Sequence, residues 1–438
     1  MRIGIAPILD PRSGGIYQYS QTMLDGIKSQ IMPKTGDSYV LFVPDPTASQ
    51  ADKWRSCGWE VQPLFPPTGK RRLQYAVQQL TGVDLYNKAW RLFQQVTCGS
   101  GIDRVRFLPE VSRWLRKFQI DLMIYPAPDE LAFEVDIPYV MAIHDLQHRL
   151  QPHFPEMSAN GNLYRREYIF RNAARYATIL ISESEVGKQD ILRFYAAYGI
   201  TGERVKVLPY LPSLPGIGEV SEAEKQRVRI AYHLPDRYLF YPAQFWAHKN
   251  HLRIVQALHL LNQEHHLKIP IVFAGTHTGR QRRNYEQLLA LIRELGMADQ
   301  ILFPGYVPDQ DMPGLYAGSV VLLMPTFFGP SNIPVLEAWA YGCPVITSDI
   351  HGIREQCGQA ALLVDPSSVE AIANGVYRLW TDNELCVQLA IKGVERLSIY
   401  TRGDYIERLY DILEDAKQLA VADRTRTAQS GGIDHGAR

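Results

Sequence analysis

The sequence is poor in cysteine, and its five cysteines (Cys57, Cys98, Cys343, Cys357 and Cys386) are scattered with no C-x-x-C spacing. That excludes a zinc-ribbon type of site and a disulfide framework, and it fits a reduced compartment. Excess charge of either sign is also missing. The 46 Lys and Arg balance the 46 Asp and Glu, so a nucleic-acid partner held by a long-range field is not expected. No run approaches eighteen uninterrupted apolar residues, the length a membrane-spanning helix needs. The start, Met1-Arg2-Ile3-Gly4-Ile5-Ala6, enters a strand-like run directly, without the apolar core and small-residue site of a secretion signal. A cytoplasmic protein is expected, with any membrane contact peripheral, at the inner membrane face. His144, His148 and His153 lie across a Pro-containing loop rather than on one helical face. No metal site and no cofactor are expected from them.

What is present is an ordinary globular composition, 46% hydrophobic and 21% charged, in a chain of 438 residues. That length is too great for one core and implies two or three domains. Short apolar runs alternate with amphipathic stretches twice over, the rhythm of parallel-sheet α/β domains.

The most informative stretch begins with Val320-Val321-Leu322-Leu323-Met324, which has the length and branching of a buried parallel strand. A Gly/Pro/Ser loop follows, Pro325-Thr326-Phe327-Phe328-Gly329-Pro330-Ser331-Asn332. Ser331 or Asn332 can then cap a helix that carries Pro334 in its first turn, where the missing amide hydrogen has no partner to lose. Gly342 ends that helix and Pro344 turns the chain into the next strand. Amides at such a helix start can hold a phosphate, and Glu337, one turn in, can accept hydrogen bonds from the vicinal hydroxyls of a ribose. An acid near a helix start also simply complements the dipole.

The spelling resembles the donor-nucleotide motif of the family-4 glycosyltransferases, retaining enzymes of the GT-B fold in which two glutamates stand eight positions apart. Pro334-Val335-Leu336-Glu337-Ala338 and Gly342-Cys343-Pro344-Val345 match it, with Glu337 as the second glutamate. The first is replaced by Gly329, so a contact to the donor sugar must come from backbone at 329–331 or from elsewhere. The resemblance spans about 1–418. It implies two doubly wound Rossmann-like α/β domains facing a cleft, a nucleotide diphosphate sugar as co-substrate, and a glycan or lipid-linked acceptor.

Residues 2–8 read as the first strand, followed by Gly14-Gly15 and a helix; this resembles the family's acceptor-side loop. Residues 138–148 read as a strand ending in His144-Asp145. On residue type alone His144 fits a structural histidine, whereas the resemblance implies one that faces the donor sugar across the cleft. The window 66–120 holds ten basic residues against three acidic ones. It reads as helical, either a solvated face or a surface that rests on anionic lipid. A Pro/Gly-rich stretch near 211–218 suits a linker.

After that linker the rhythm restarts. Lys249 in Gln244-Phe245-Trp246-Ala247-His248-Lys249-Asn250 matches the family lysine that contacts the donor diphosphate, while Gln244 stands where an arginine is common. Tyr306 and Val307 are candidate contacts to the base. The resemblance thus implies catalytic roles for His144, Lys249 and Glu337, and donor contacts from Gln244, Tyr306, Val307, Gly329, Pro330, Ser331, Asn332 and Ile333. The expected boundaries are an acceptor-side domain at 1–212, a donor domain at 213–399, a helix at 400–420 packing back on the first domain, and a disordered tail at 421–438. No carboxylate pair at nucleophile spacing is visible; the resemblance implies instead that the leaving diphosphate assists the acceptor on the same face of the sugar. A non-hydrolysing sugar-nucleotide epimerase, or a non-catalytic sugar-nucleotide-binding scaffold, shares these features.

Overall fold

A computed structural model of the chain describes residues 1–47, 49–66, 105–212, 214, 218–277 and 281–429. Most of the basic window at 66–120 therefore lies outside the described residues. Within them, the chain divides into two compact units, Met1–Pro209 with Gly403–Arg438, and Tyr210–Arg402.

The first unit is built on seven parallel strands: β1 (Arg2–Ile5), β2 (Ser38–Val43), β3 (Glu60–Pro63), β4 (Leu122–Tyr125), β5 (Tyr139–Ala142), β6 (Ile179–Ser182) and β7 (Val205–Val207). Their order is β3-β2-β1-β4-β5-β6-β7. Residues of β2, β4, β5 and β6 are buried almost without exception, as a sheet covered on both faces requires. The exception is β3, a polar edge strand, Glu-Val-Gln-Pro, that carries no strand signature in the sequence. Helix α1 (Gly15–Gly26) follows β1, α2 (Asn162–Tyr176) precedes β6, and α3 (Glu185–Tyr195) follows it. Ser184 caps α3, its hydroxyl accepting the Gly187 amide at 3.0 Å.

The last helix, Arg402–Gln429, belongs to the first unit. Tyr405, Leu409, Leu413, Ala416 and Ala420 are buried along it, and Tyr405, Ile406 and Leu409 pack against Gly26 of α1. Lys417 pairs with Asp37 at 2.6 Å. Burial would raise the Asp37 carboxyl, but Lys417 and the N-terminal ammonium outweigh it and hold the acid below its ordinary value. The expected tail at 421–438 is corrected in part: the helix runs through Gln429, because the apolar stripe that ends at Ala420 carries the last turns along with it.

The second unit holds six parallel strands: β8 (Leu239–Pro242), β9 (Ile271–Ala274), β10 (Ile301–Gly305), β11 (Val321–Met324), β12 (Val345–Ser348) and β13 (Leu362–Val364). Their order is β10-β9-β8-β11-β12-β13. The principal helices for the site are α4 (His251–His265), α5 (Met312–Gly318), α6 (Ile333–Ala340) and α7 (Asn383–Ser398). Gly342 has φ 67°, the left-handed residue that stops α6. Among the described residues no helix is long and apolar enough to cross a membrane.

Candidate functional site

In a doubly wound sheet the connections run away in opposite directions where the strand order reverses, and the crevice left at the carboxyl edge takes the ligand. In the second unit that point lies between β8 and β11. The loop after β8 carries Gln244 and Lys249, and the loop after β11 carries Gly329 to α6. The two are laced together. The His248 carbonyl accepts the Phe327 amide at 2.8 Å and the Thr326 hydroxyl at 3.2 Å. The His248 ring stacks flat on Phe328, 3.8 Å between centroids and 4° apart. Asn250, in the left-handed region at φ 65°, donates its side-chain amide to the carbonyls of Pro325 (2.9 Å) and Pro366 (2.7 Å). Half-buried Lys249 is set between these ties, its own carbonyl accepting the Tyr241 hydroxyl at 3.0 Å.

The start of α6 differs from the capping expected above. Asn332 stands at the cap position, but its side chain donates to the Phe328 carbonyl instead of capping. Its backbone is gripped by Gln356, whose side chain accepts the Asn332 amide at 2.9 Å and donates to the Asn332 carbonyl at 2.8 Å. Arg396 of α7 in turn holds the carbonyls of Glu355 (2.6 Å) and Gln356 (3.0 Å). Pro330 and Pro334 have no amide hydrogen, so Ser331 and Ile333 carry the amides left to meet an anion there. The Ser331 hydroxyl is buried and has no hydrogen-bond partner among the described residues.

Gly329 stands where the family motif has glutamate, and the packing shows why no side chain fits. A Cβ there would lie 2.8 Å from the His351 carbonyl oxygen. Opposite it, Gly352 has φ +87°, and a Cβ on it would lie 2.2 Å from Pro330 Cβ. The segment around 351–356 has taken the space beside the loop. Glu337, one turn into α6, is buried and accepts the Tyr316 hydroxyl through Oε2 at 2.8 Å. Burial first, and then the Glu337 carboxylate, push the Tyr341 phenol up to about 12.

Gln244, in place of arginine, accepts from Trp246 Nε1 (2.9 Å) and Gln281 Nε2 (2.8 Å) through its side-chain oxygen. Tyr306 and Val307 follow β10, an edge strand two places from β8. Tyr306 is exposed, whereas Val307 is buried in the core, so its side chain is part of the packing.

In the first unit the order reverses between β1 and β4. Gly14 (φ 61°) precedes α1, and a Cβ on it would touch nothing within 4 Å. His144 lies past the end of β5. Its Nε2 is 2.8 Å from the Pro126 carbonyl, which places the proton on Nε2, and Tyr19 of α1 meets the ring edge-on at 4.7 Å. Burial, only partly opposed by the Pro126 carbonyl and Asp145, lowers its pKa and keeps it neutral at physiological pH. Asp145 is ion-paired with Arg166 of α2 and accepts the Gln147 amide at 2.9 Å.

Both ring nitrogens of His148 are engaged. Arg166 Nε donates to its Nδ1 at 3.1 Å, leaving the proton on Nε2, which lies 2.9 Å from the Tyr195 hydroxyl and 3.1 Å from Glu167. Burial would raise the Glu167 carboxyl, but His148 and Arg149 bring it down to about 2. Arg166, Gln356 and Tyr316 were not legible as site residues, since each acts through a partner far away in sequence.

Residues 222–396 match the family model of glycosyl transferases group 1. O-antigen chain mannosyltransferase B of Escherichia coli is 27% identical over 235 residues, 52% of this chain and 58% of the relative. Mannosylfructose-phosphate synthase of Agrobacterium fabrum is 20% identical over 324 residues, 69% of each chain. The match to the first thus spans less than two thirds of its length. Among solved structures, Anabaena HepE in complex with UDP-glucose superposes with a TM-score of 0.63 at 15% identity, over 97% of this chain and 99% of that one. The fold is GT-B.

Proposed function

We infer, from the match of residues 222–396 to the group 1 family model, that the chain is a retaining glycosyltransferase. It moves a mannose- or glucose-type sugar from a nucleotide diphosphate sugar to a hydroxyl of a glycan or lipid-linked glycan. Mannose is favoured by the likeness to a mannosyltransferase; the neighbour solved with UDP-glucose supports a nucleotide-sugar donor. The single observation that carries the reading is the start of α6, where an orphaned buried Ser331 hydroxyl lies just before the helix and the buried Glu337 carboxylate lies in its first turns. That pairing suits a phosphate and a ribose held together.

In this reading Lys249 and the α6 amides neutralise charge as it develops on the leaving diphosphate, which makes the transfer metal-independent. Neutral His144 is suited to hydrogen-bond a sugar hydroxyl. The basic 66–120 region is the proposed contact with a membrane that carries the acceptor.

The test is incubation of the chain with GDP-mannose or UDP-glucose, chelator present, and mannose oligosaccharides or a lipid extract as acceptor, followed by NMR of the anomeric protons. Transfer with the donor's anomeric configuration retained is the expected result. Epimerised or free sugar without acceptor would mark an epimerase-like or hydrolytic enzyme. A chain that neither turns over nor is stabilised by any nucleotide would be a scaffold.

A further inference from the structure

We propose that Tyr316 is a positioning residue that sets the Glu337 carboxylate to grip the ribose diol of the nucleotide. The inference rests on the nucleotide-sugar reading above and adds to it a residue that has no role there.

Tyr316 lies in α5, the helix that leads into β11, and is fully buried. Its ring is fixed on two sides. Phe240 of β8 meets it edge-on at 5.0 Å and 85°, and Tyr341 stacks at 6.1 Å and 21°. The helix around it is fixed as well: the Leu315 carbonyl accepts the Tyr238 hydroxyl at 2.9 Å, and the Tyr316 carbonyl accepts Ser319 Oγ at 2.9 Å.

A phenol in so rigid a setting has one place to aim its proton, and that place is Glu337 Oε2 at 2.8 Å. Burial and the carboxylate itself hold the phenol's pKa well above its ordinary value, so it remains a donor throughout the physiological range. A donor fixed against one carboxylate oxygen selects one rotamer of Glu337 and one orientation of its plane. A carboxylate has about four acceptor positions, enough for this phenol and a diol together. Two hydroxyls on adjacent carbons need that plane held still, since a rotating carboxylate meets only one of them well. Charge-assisted bonds of this kind are roughly twice as strong as neutral ones.

A merely structural phenol would be blind to the hydroxyls of the ligand, and that separates the two roles. The full chain is titrated calorimetrically with GDP and UDP and with their 2′,3′-dideoxy counterparts. For the ribonucleotide that binds, Tyr316→Phe is expected to raise Kd about tenfold, with no change for the dideoxy compound. In a Glu337→Gln background the same substitution should add nothing. Equal weakening for both sugars would overturn the proposal in favour of a structural role, and unchanged ribonucleotide binding would overturn it outright. If neither GDP nor UDP binds the unaltered chain, the nucleotide reading fails and removes this inference with it. Tyr316→Phe retains the ring and its packing, and Glu337→Gln alone supplies a second reading of the diol contact if the first variant unfolds.

Discussion

The two units place glycine at their ligand edges for opposite reasons. In the first, Gly14 has a left-handed backbone with open space around it. In the second, three glycines are closed in by backbone. A Cβ on Gly275 would lie 2.4 Å from the Ala243 carbonyl, one on Gly329 2.8 Å from that of His351, and one on Gly352 2.5 Å from Pro330 Cα. The second edge is therefore a preformed mould, shaped by main chain that approaches main chain. The first is an open rim, whose shape depends on side chains such as His144. Their means of support differ too. Arg166, Asp145, His148 and Glu167 form an ionic network under the first edge, whereas neutral hydrogen bonds from Asn250, Gln356 and Thr326 tie the second. A mould suits a ligand part that is always the same, and an open rim suits one that varies among enzymes.

The comparison breaks if the glycines prove interchangeable. Gly352→Ala combines strain at positive φ with a clash against Pro330, and should cost about 3 kcal/mol of stability in the second unit. Denaturant unfolding followed by hydrogen exchange of β11 and β12 measures it.

The next effect is pH dependence. His251 at the start of α4 is buried among Tyr241, Phe245 and Phe273, with Nε2 unpartnered among the described residues, and burial followed by the charge of Lys249 lowers its pKa to about 3. The unfolded chain takes up this proton near its ordinary value of 6.5 and the folded one resists, so stability falls as pH drops below 6.5 and keeps falling toward 3. Between pH 8 and pH 5 the loss should be about 2 kcal/mol, and His251→Phe should abolish it in the second unit. The first unit adds a separate acid limb: the depressed Glu167 contributes stability above 4.5 that is lost as pH falls toward about 2. A second unit that stays equally acid-sensitive in His251→Phe would place the titration elsewhere.

A smaller effect sharpens the contrast between mould and rim. Gln356→Ala removes both bonds that hold Asn332, and should weaken nucleotide binding about tenfold, with the first unit unaffected. Calorimetric titration against GDP and UDP reads it, and an unchanged Kd would show that the loop keeps its shape without the clamp. The smallest effect belongs to the rim. Gly14→Ala meets strain at positive φ but no neighbour, and should cost only about 1 kcal/mol.

The parallel strands were legible because burial on both faces forces uniform apolar runs, as in 320–324. The edge strand β3 was not, since half of its surface faces water and Glu60 and Gln62 break the run. The helical turns at 421–429 were missed for a related reason, their stability coming from the buried stripe before them. At the candidate site, Lys249, Glu337 and the loop between Phe328 and Ile333 were candidates from spelling and helix-start chemistry alone. Tyr316 and Gln356 reach their partners across 21 and 24 residues, and only the folded sheet brings them there. The gap at Gly329 was visible in the sequence, but its cause, the carbonyl of His351, was not.

The most direct measurement is calorimetric titration of the chain with GDP and UDP in the presence of chelator, repeated with Lys249→Met. The account expects one of the two to bind with chelator present, and Lys249→Met to weaken that binding by a factor of about 100. Binding that requires a divalent cation, or that is indifferent to Lys249, would contradict it.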